Sequence, residues 1–267
     1  MTAENDYIQR WQSAQKHGQE SEVQLARYLR KHAENPQILA RLGVSDPLSS
    51  IRVHSRKRVE SLLGGRPVPP KADIVALSGE KQIGISVKRS REGQLDLRTV
   101  QSFSRVLEEV YEYPANSFIL RSLEAFVGST DASVVNNITL GGMRFRQDGK
   151  RARLGIFEQT LYLNNEVERL LEWLANGMHF IAQLGFVSGT AKSGHATHIW
   201  YYNEETDLNV ICRTNAIIAS SREFSAFPTA IVGTDIPLPF GAISAHQGCI
   251  QIRHSLSKIS ALGIPLD

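Results

Sequence analysis

Apolar positions in this chain repeat at two different periods. Between Glu20 and His32 (ESEVQLARYLRKH), Val23, Ala26 and the Leu25/Leu29 pair form one stripe, which predicts an amphipathic helix ended by Asn35-Pro36. Residues 36–70 are basic and lack a period; Gly64-Gly65, Pro67, Pro69 and Pro70 close them as a loop. The period then drops to two. Asp73 opens a β-branched run, a Ser78-Gly79-Glu80-Lys81 turn follows, and Ile83, Ile85 and Val87 alternate with Gln82, Gly84, Ser86 and Lys88. That is a hairpin with an apolar and a polar face.

Helical spacing returns after Gly93 with Leu97, Val100, Phe103, Val106, Leu107 and Val110, stopping before Pro114. A third helix is expected over NNEVERLLEWLANGMHFIAQLGF, capped by Asn164 or Asn165, with Val167, Leu170, Leu171 and Leu174 inward. Beyond it HIWYYN, LNVICR, TAIVGT and GCIQIRH read as strands separated by Gly, Pro and Asn. Helix, hairpin, helix and a strand-rich C-terminal half predict an α/β fold. The expectation is a single domain over 1–267, with a core at about 15–130 and a half at about 155–267 completing the sheet and cleft.

Composition narrows the setting. The two cysteines, Cys212 and Cys249, are far apart and in no metal spacing, which suits a reduced, cytoplasmic location. MTAENDYIQRW has neither a basic start nor an apolar core, so it does not read as a signal peptide. No apolar run approaches the roughly 18 residues of a membrane span, so no membrane partner is expected. The net charge of +3 says little, but its distribution says more. Arg52, His54, Arg56, Lys57, Arg58 and Arg66 precede the hairpin; Lys88, Arg89, Arg91 and Arg98 follow it; Arg144, Arg146, Lys150, Arg151 and Arg153 form a run mid-chain.

The hairpin register brings Asp73 near Ser86 and Lys88. An acid, a neutral polar group and a lysine on one edge can hold a divalent cation beside a phosphodiester and orient a water for attack. Other signals fail. Gly185 to Ser193 suggests a phosphate loop but has Thr190 where glycine is needed. His195 and His198 have no second ligand pair for zinc, and Ser220-Ser221 with the scattered histidines form no triad. Trp11, Trp173 and Trp200 read as core or edge aromatics.

The pattern PKAD…ISVK resembles the PD-(D/E)XK nuclease signature, in the variant whose middle acid is a neutral polar residue. The likeness is to small type II restriction endonucleases of the Hin P and Msp kind, which recognise four-base CG-containing sites. GGRPVPPKAD resembles their glycine-rich approach to the catalytic Asp. KHGQESEVQLARYL resembles their early helix and aligns Glu22 with its glutamate, and the helix near Trp173 and PFGAISAHQGCIQIRH also look like counterparts. Ser86 stands where those enzymes carry Gln or Asn.

The resemblance implies a PD-(D/E)XK restriction-endonuclease-like core, a mixed sheet flanked by helices, acting with Mg2+ on double-stranded DNA. It implies Asp73 as a metal ligand, the Val87 carbonyl as a second, Glu22 binding metal or fixing Lys88, Ser86 reaching the metal directly or through water, and Lys88 activating the water. In-line attack leaves a 5′-phosphate. A cognate DNA methyltransferase is then the expected functional partner, though not a subunit, and the protein acts as a monomer or a transient dimer. A structure-specific repair or recombination nuclease, or a non-catalytic DNA-binding protein on this fold, are the alternatives. Candidate DNA contacts are Arg89, Arg91, Gln94 and Arg98 in the loop after the site, Lys192 and His195 in SGTAKSGHATH, and Gln251 and Arg253 in the last strand.

Overall fold

The first apolar stripe folds as helix α1 over residues 20–31 in the structure, a computed structural model that describes residues 20–54, 57–127, 167–223, 231, 235–246 and 248–267. Leu25, Ala26 and Leu29 are buried as expected, but Val23 is 47% exposed. Residues 22, 25, 26 and 29 share the inward face of a helix, and position 23 lies about 100° away from 22. Glu22, half-buried, therefore heads the inward stripe in place of Val23.

Asn35-Pro36 ends α1 and also begins α2 (Pro36–Leu42). The Asn35 side chain accepts from the amides of Gln37 and Ile38, and proline occupies the first turn, where its missing N–H costs nothing. Gly43 stops α2 at φ +62. Strand β1 (Leu48–Val53) follows, so residues 36–53 are not the irregular stretch the sequence suggested. The regularity of β1 comes from long-range pairing, which leaves no local period, while α2 is a short helix that buries Ile38, Leu39 and Leu42. β1 lies antiparallel to β2 (Ile74–Ser78), and β2 to β3 (Lys81–Lys88), in the expected hairpin with Ser78 opposite Lys81.

The expected second helix divides into strand β4 (Glu92–Arg98) and helix α3 (Val100–Tyr111). Thr99 sets the boundary by accepting from the Ser102 amide at 3.2 Å. Leu97 belongs to the strand and is 40% exposed. Helix α4 spans Ser117–Val127. The expected third helix is α5 (Val167–Asn176), which breaks at Gly177 before α6 (Met178–Gln183). A Cβ on Gly177 would sit 2.4 Å from the Tyr113 ring, so only glycine fits there. Asn164 and Asn165 lie outside the described residues, as do Trp11, Arg56, the run Arg144–Arg153 and all of TAIVGT but Ile231.

HIWYYN and LNVICR are strands β5 (His198–Asn203) and β6 (Leu208–Arg213). Helix α7 (Thr214–Glu223), β7 (Asp235–Leu238), β8 (Gly241–His246), β9 (Cys249–Ser255) and α8 (Leu256–Ala261) complete the chain. The fold is mixed α/β and strand-rich in its C-terminal half. No described helix is long and apolar enough to cross a membrane.

The chain divides into two compact units, each built from separated stretches. One runs to Arg91 and takes in Phe186–Ala216 and Ile264–Asp267. Its five-stranded sheet has the order β1-β2-β3-β5-β6, with β3 and β5 parallel. Helices α1 and α2 bury Leu25, Leu29, Ile38 and Leu42 with Ile74, Ile83, Ile85 and Trp200 on one face of it. Arg41 lies 5.0 Å over the Trp200 ring and donates to the Asp267 carbonyl, tying down the last residue. The other unit draws on Glu92–Gly185 and Ile217–Gly263 and has an antiparallel sheet of order β4-β9-β8-β7. Within it Tyr113 stacks on Trp173, ring centroids 5.1 Å apart.

His198 is buried in the first unit, and desolvation, with Arg213 and Lys81 adding to it, pushes its pKa down to about 4. The Thr197 hydroxyl donates to the Gly84 carbonyl at 3.0 Å, so His198 Nδ1, 2.9 Å away, is the nitrogen that carries the proton. Nε2 is then a buried acceptor with no partner among the described residues. An unfolded histidine protonates near 6.5 and the folded one only near 4. Stability that is full at neutral pH is therefore lost as pH falls through that window, by about 3 kcal/mol from this group. Urea unfolding at several pH values should show the loss, and His198→Gln should make the curve shallower between those limits; an unchanged curve contradicts the assignment.

Candidate active site

Asp73 precedes β2 and is held by its main chain from both sides. Its amide donates to the Ile85 carbonyl at 2.9 Å, and its carbonyl accepts from the His54 amide at 2.6 Å. With the backbone fixed, the carboxylate reaches the end of β3. Oδ2 accepts from the Val87 amide at 2.7 Å and from the Ser86 hydroxyl at 3.3 Å. Both hydrogen bonds fall on Oδ2, and Oδ1 carries neither. The side chain replaces the carbonyl that would continue the ladder, so the hairpin ends with a carboxylate locked against it.

Alternation sets what surrounds that carboxylate. Ile83 and Ile85 face the core under α1 and α2, so Ser86 and Lys88 point to the other face. Ser86 is only 2% exposed. The Asp73 carboxyl has its pKa raised, first by desolvation; Lys88, the Val87 amide, Lys71 and Ser86 pull it partly back, in that order. Asp73, Ser86, Val87 and Lys88 therefore gather as the sequence suggested. Glu22 stands on α1, which packs on the face that carries Ile83 and Ile85.

Gly84 positions the loop beside the site. A Cβ there would lie 2.0 Å from the His195 carbonyl oxygen, so only glycine lets the loop pass over β3. Thr197 fixes the crossing: its hydroxyl accepts from the Gly84 amide at 3.1 Å and donates to the Gly84 carbonyl, and its own amide donates to that carbonyl at 2.8 Å. Further along, the Gly194 carbonyl accepts from the Ala72 amide at 2.9 Å, next to Asp73.

The candidate DNA contacts fall into both units. In the first, Arg89 pairs with Glu205 at 2.6 Å and Arg91 is exposed. Lys192 pairs with Glu60, and the His195 Nε2 lies 3.0 Å from the Ala191 carbonyl. In the second, Gln251 donates to Gln94 at 2.9 Å, Arg98 pairs with Asp96 at 2.6 Å, and Arg253 lies 3.6 Å from Asp235. Arg89 to Arg98 is thus not one loop: from Glu92 it is strand β4, paired along β9. His198 opens strand β5, as the reading of HIWYYN as a strand expected. Sequence reasoning missed Lys71, Gly84 and Thr197; the two-residue spacing of Lys71 from Asp73 was the available signal for the first.

No family model matches the chain, and no curated protein matches it. Among solved structures, it is similar to the restriction endonuclease MspI in complex with its cognate DNA, at 12% identity and a TM-score of 0.45, over 85% of this chain and 83% of that one.

A desolvated carboxylate lowers stability once it ionises. Because its folded pKa is raised, the cost is absent in acid and grows as pH rises through and above the ordinary aspartate range. Asp73→Asn keeps an oxygen for the Val87 amide and removes the charge. Its thermal midpoint at neutral pH should exceed that of the wild type, by about 2–4 °C for each kcal/mol recovered, and the gain should vanish in acid. A lower midpoint at neutral pH would show that the charge stabilises the fold.

Proposed function

We propose that the protein is a Mg2+-dependent DNA endonuclease of the PD-(D/E)XK kind that cuts duplex DNA at a short defined sequence. The observation that carries this reading is the Asp73 carboxylate held at the Val87 amide, with Ser86 and Lys88 on the same face of β3. A carboxylate is not desolvated in this way for stability alone, and sites of this kind concentrate where chemistry is done.

The residues fit Mg2+ rather than a soft or fully caged metal. Among the described residues no three His, Cys, Asp or Glu side chains gather. Mg2+ commonly takes one or two carboxylates and fills its other positions with water and substrate phosphate. Asp73 Oδ1 and the Val87 carbonyl would hold it; bound there it would act as a Lewis acid on the phosphodiester. Ser86 donates to Asp73 and sets the orientation of its carboxylate. Lys88 orients the attacking water and stabilises the charge that develops on the phosphorane, so that in-line attack leaves a 5′-phosphate. Arg89, Arg91, Lys192 and His195 contact DNA in the first unit, and Gln94, Arg98, Gln251 and Arg253 in the second. A restriction role further implies a cognate methyltransferase to protect host DNA.

Ser86 in place of an acid supports one rival, a DNA-binding protein that has lost catalysis. Long phage DNA with Mg2+ separates the readings: discrete bands support site-specific cutting, a smear or cutting only of branched DNA supports a nuclease of another specificity, and binding with no cleavage under any divalent cation supports the rival. Lys88→Ala should slow cleavage by at least about 100-fold while duplex binding in Ca2+ stays near that of the wild type. Full activity in that variant rejects the assigned role of Lys88.

A further inference from the structure

We propose that the ribbon of residues 57–68, with Arg52 of β1, is a backbone-binding surface for duplex DNA: Arg52, Lys57, Arg58 and Arg66 take the phosphates that flank the Asp73 site. This rests on the nuclease reading above and adds the surface that keeps the duplex at that site.

Strand register puts Arg52 on the face of the site. Ile51 and Val53 pack with the core under α1 and α2, so Arg52 between them lies on the other face. There it stands opposite Val75, which stands opposite Gly84, and Ser86 follows two residues along the same face. Two residues beyond Arg52, the His54 amide donates to the Asp73 carbonyl at 2.6 Å. The Lys57 amide in turn donates to the His54 carbonyl at 2.8 Å, and the Arg58 guanidinium donates to the Lys57 carbonyl at 3.2 Å. A chain of hydrogen bonds thus links these cations to the main chain of Asp73.

The ribbon that follows is held on both edges. Val59 and Val68 exchange amide and carbonyl at 2.8 and 2.9 Å. On the other edge the Leu62 amide donates to the Thr190 carbonyl at 2.8 Å, and the Lys192 amide donates to the Glu60 carbonyl at 2.9 Å. Gly64 and Gly65 take φ +70 and +78 and turn the chain back into Arg66, a conformation that suits glycine. Backbone fixed in this way loses little freedom when a ligand binds.

Charge sets the partner. Arg52, Lys57, Arg58 and Arg66 are exposed, and none is ion-paired among the described residues. Arg89, Arg98 and Lys192, by contrast, each hold a carboxylate. From Arg52 to Pro70 the only acid is Glu60, and its carboxylate is taken by Lys192. Cations grouped without counter-charge attract a polyanion. The same stretch contains no Asn or Gln to read adenine, so its contacts fall on phosphate and position the duplex without specifying its sequence.

The test titrates two short duplexes of unrelated sequence in EDTA over a range of salt. It compares wild type with Arg52→Gln/Lys57→Gln and with a control, Arg27→Gln/Lys31→Gln, which removes two exposed charges from α1 on the opposite face of the sheet. The first variant should weaken binding of both duplexes by the same factor and make the salt slope shallower by about two units. The control should keep the wild-type slope, and Arg52→Lys/Lys57→Arg, which keeps both charges, should bind as wild type. If Arg52→Gln/Lys57→Gln melts below the wild type, Lys57→Gln alone carries the comparison, with an expected change of about one unit. An unchanged slope, an equal change in the control, or a loss confined to one duplex overturns the inference. Cleavage of phage DNA in Mg2+ is read alongside. A wild type that binds both duplexes but cuts nothing rejects the nuclease reading alone, while a cutting wild type with an unaltered slope in the variant rejects only this inference. A wild type that binds neither duplex rejects both.

Discussion

At the end of β3 the Val87 amide donates to the Asp73 carboxylate and not to a backbone carbonyl, and the rest of the site depends on that exchange. It ends the β2–β3 ladder, which frees the preceding chain to leave the sheet and bond to Gly194 instead. It also fixes a carboxylate beside Ser86 and Lys88. A side chain that replaces a ladder carbonyl brings a full charge where a dipole would have served, and the desolvation of that charge raises its pKa. The amide, the serine hydroxyl and two lysines offset the cost only in part.

The opposite face of the same sheet gives the site its rigidity. Ile74, Ile83 and Ile85 are fully buried under α1 and α2, so β2 and β3 cannot shift register without exposing them. Gly84 interrupts the polar face between Gln82 and Ser86, and the His195 backbone occupies the space its side chain would have taken. One strand thus carries a packed face, a close backbone crossing and the edge that meets the Asp73 carboxylate within eight residues. Substitutions at Gly84 or Thr197 would reach the site through the loop they hold and not through the chemistry.

The basic and amide residues outside the site divide between the two units, and most are engaged at home. The pairs Arg89–Glu205, Lys192–Glu60 and Arg98–Asp96 leave these cations partly neutralised. Arg98–Asp96 is largely shielded, its side chains 15% and 16% exposed, but the more exposed pairs Arg89–Glu205 and Lys192–Glu60 contribute little stability and exchange readily for phosphate, which offers the same charge with more acceptors. The Gln94–Gln251 amide pair joins two strands of the second sheet in the same exchangeable way.

The sequence by itself determined the hairpin, its turn, the face on which each residue lies and the gathering of Asp73, Ser86 and Lys88. All of these follow from a period of two and a short connection, which are local properties. Helices α1, α3 and α5 were legible for the same reason, apart from their ends. Strand β1, the parallel pairing of β3 with β5, the Gly84 crossing and the place of Lys71 were decided only by the tertiary structure. Each depends on residues brought together from distant parts of the chain, where no period links them. β4 was misread because Leu97 happens to fall in phase with the helix that follows, and only pairing with β9 and the Thr99 cap break that phase. Glu22 shows the division most plainly: its position on the inward stripe of α1 follows from helical geometry, while the sheet face that this stripe covers was set by packing.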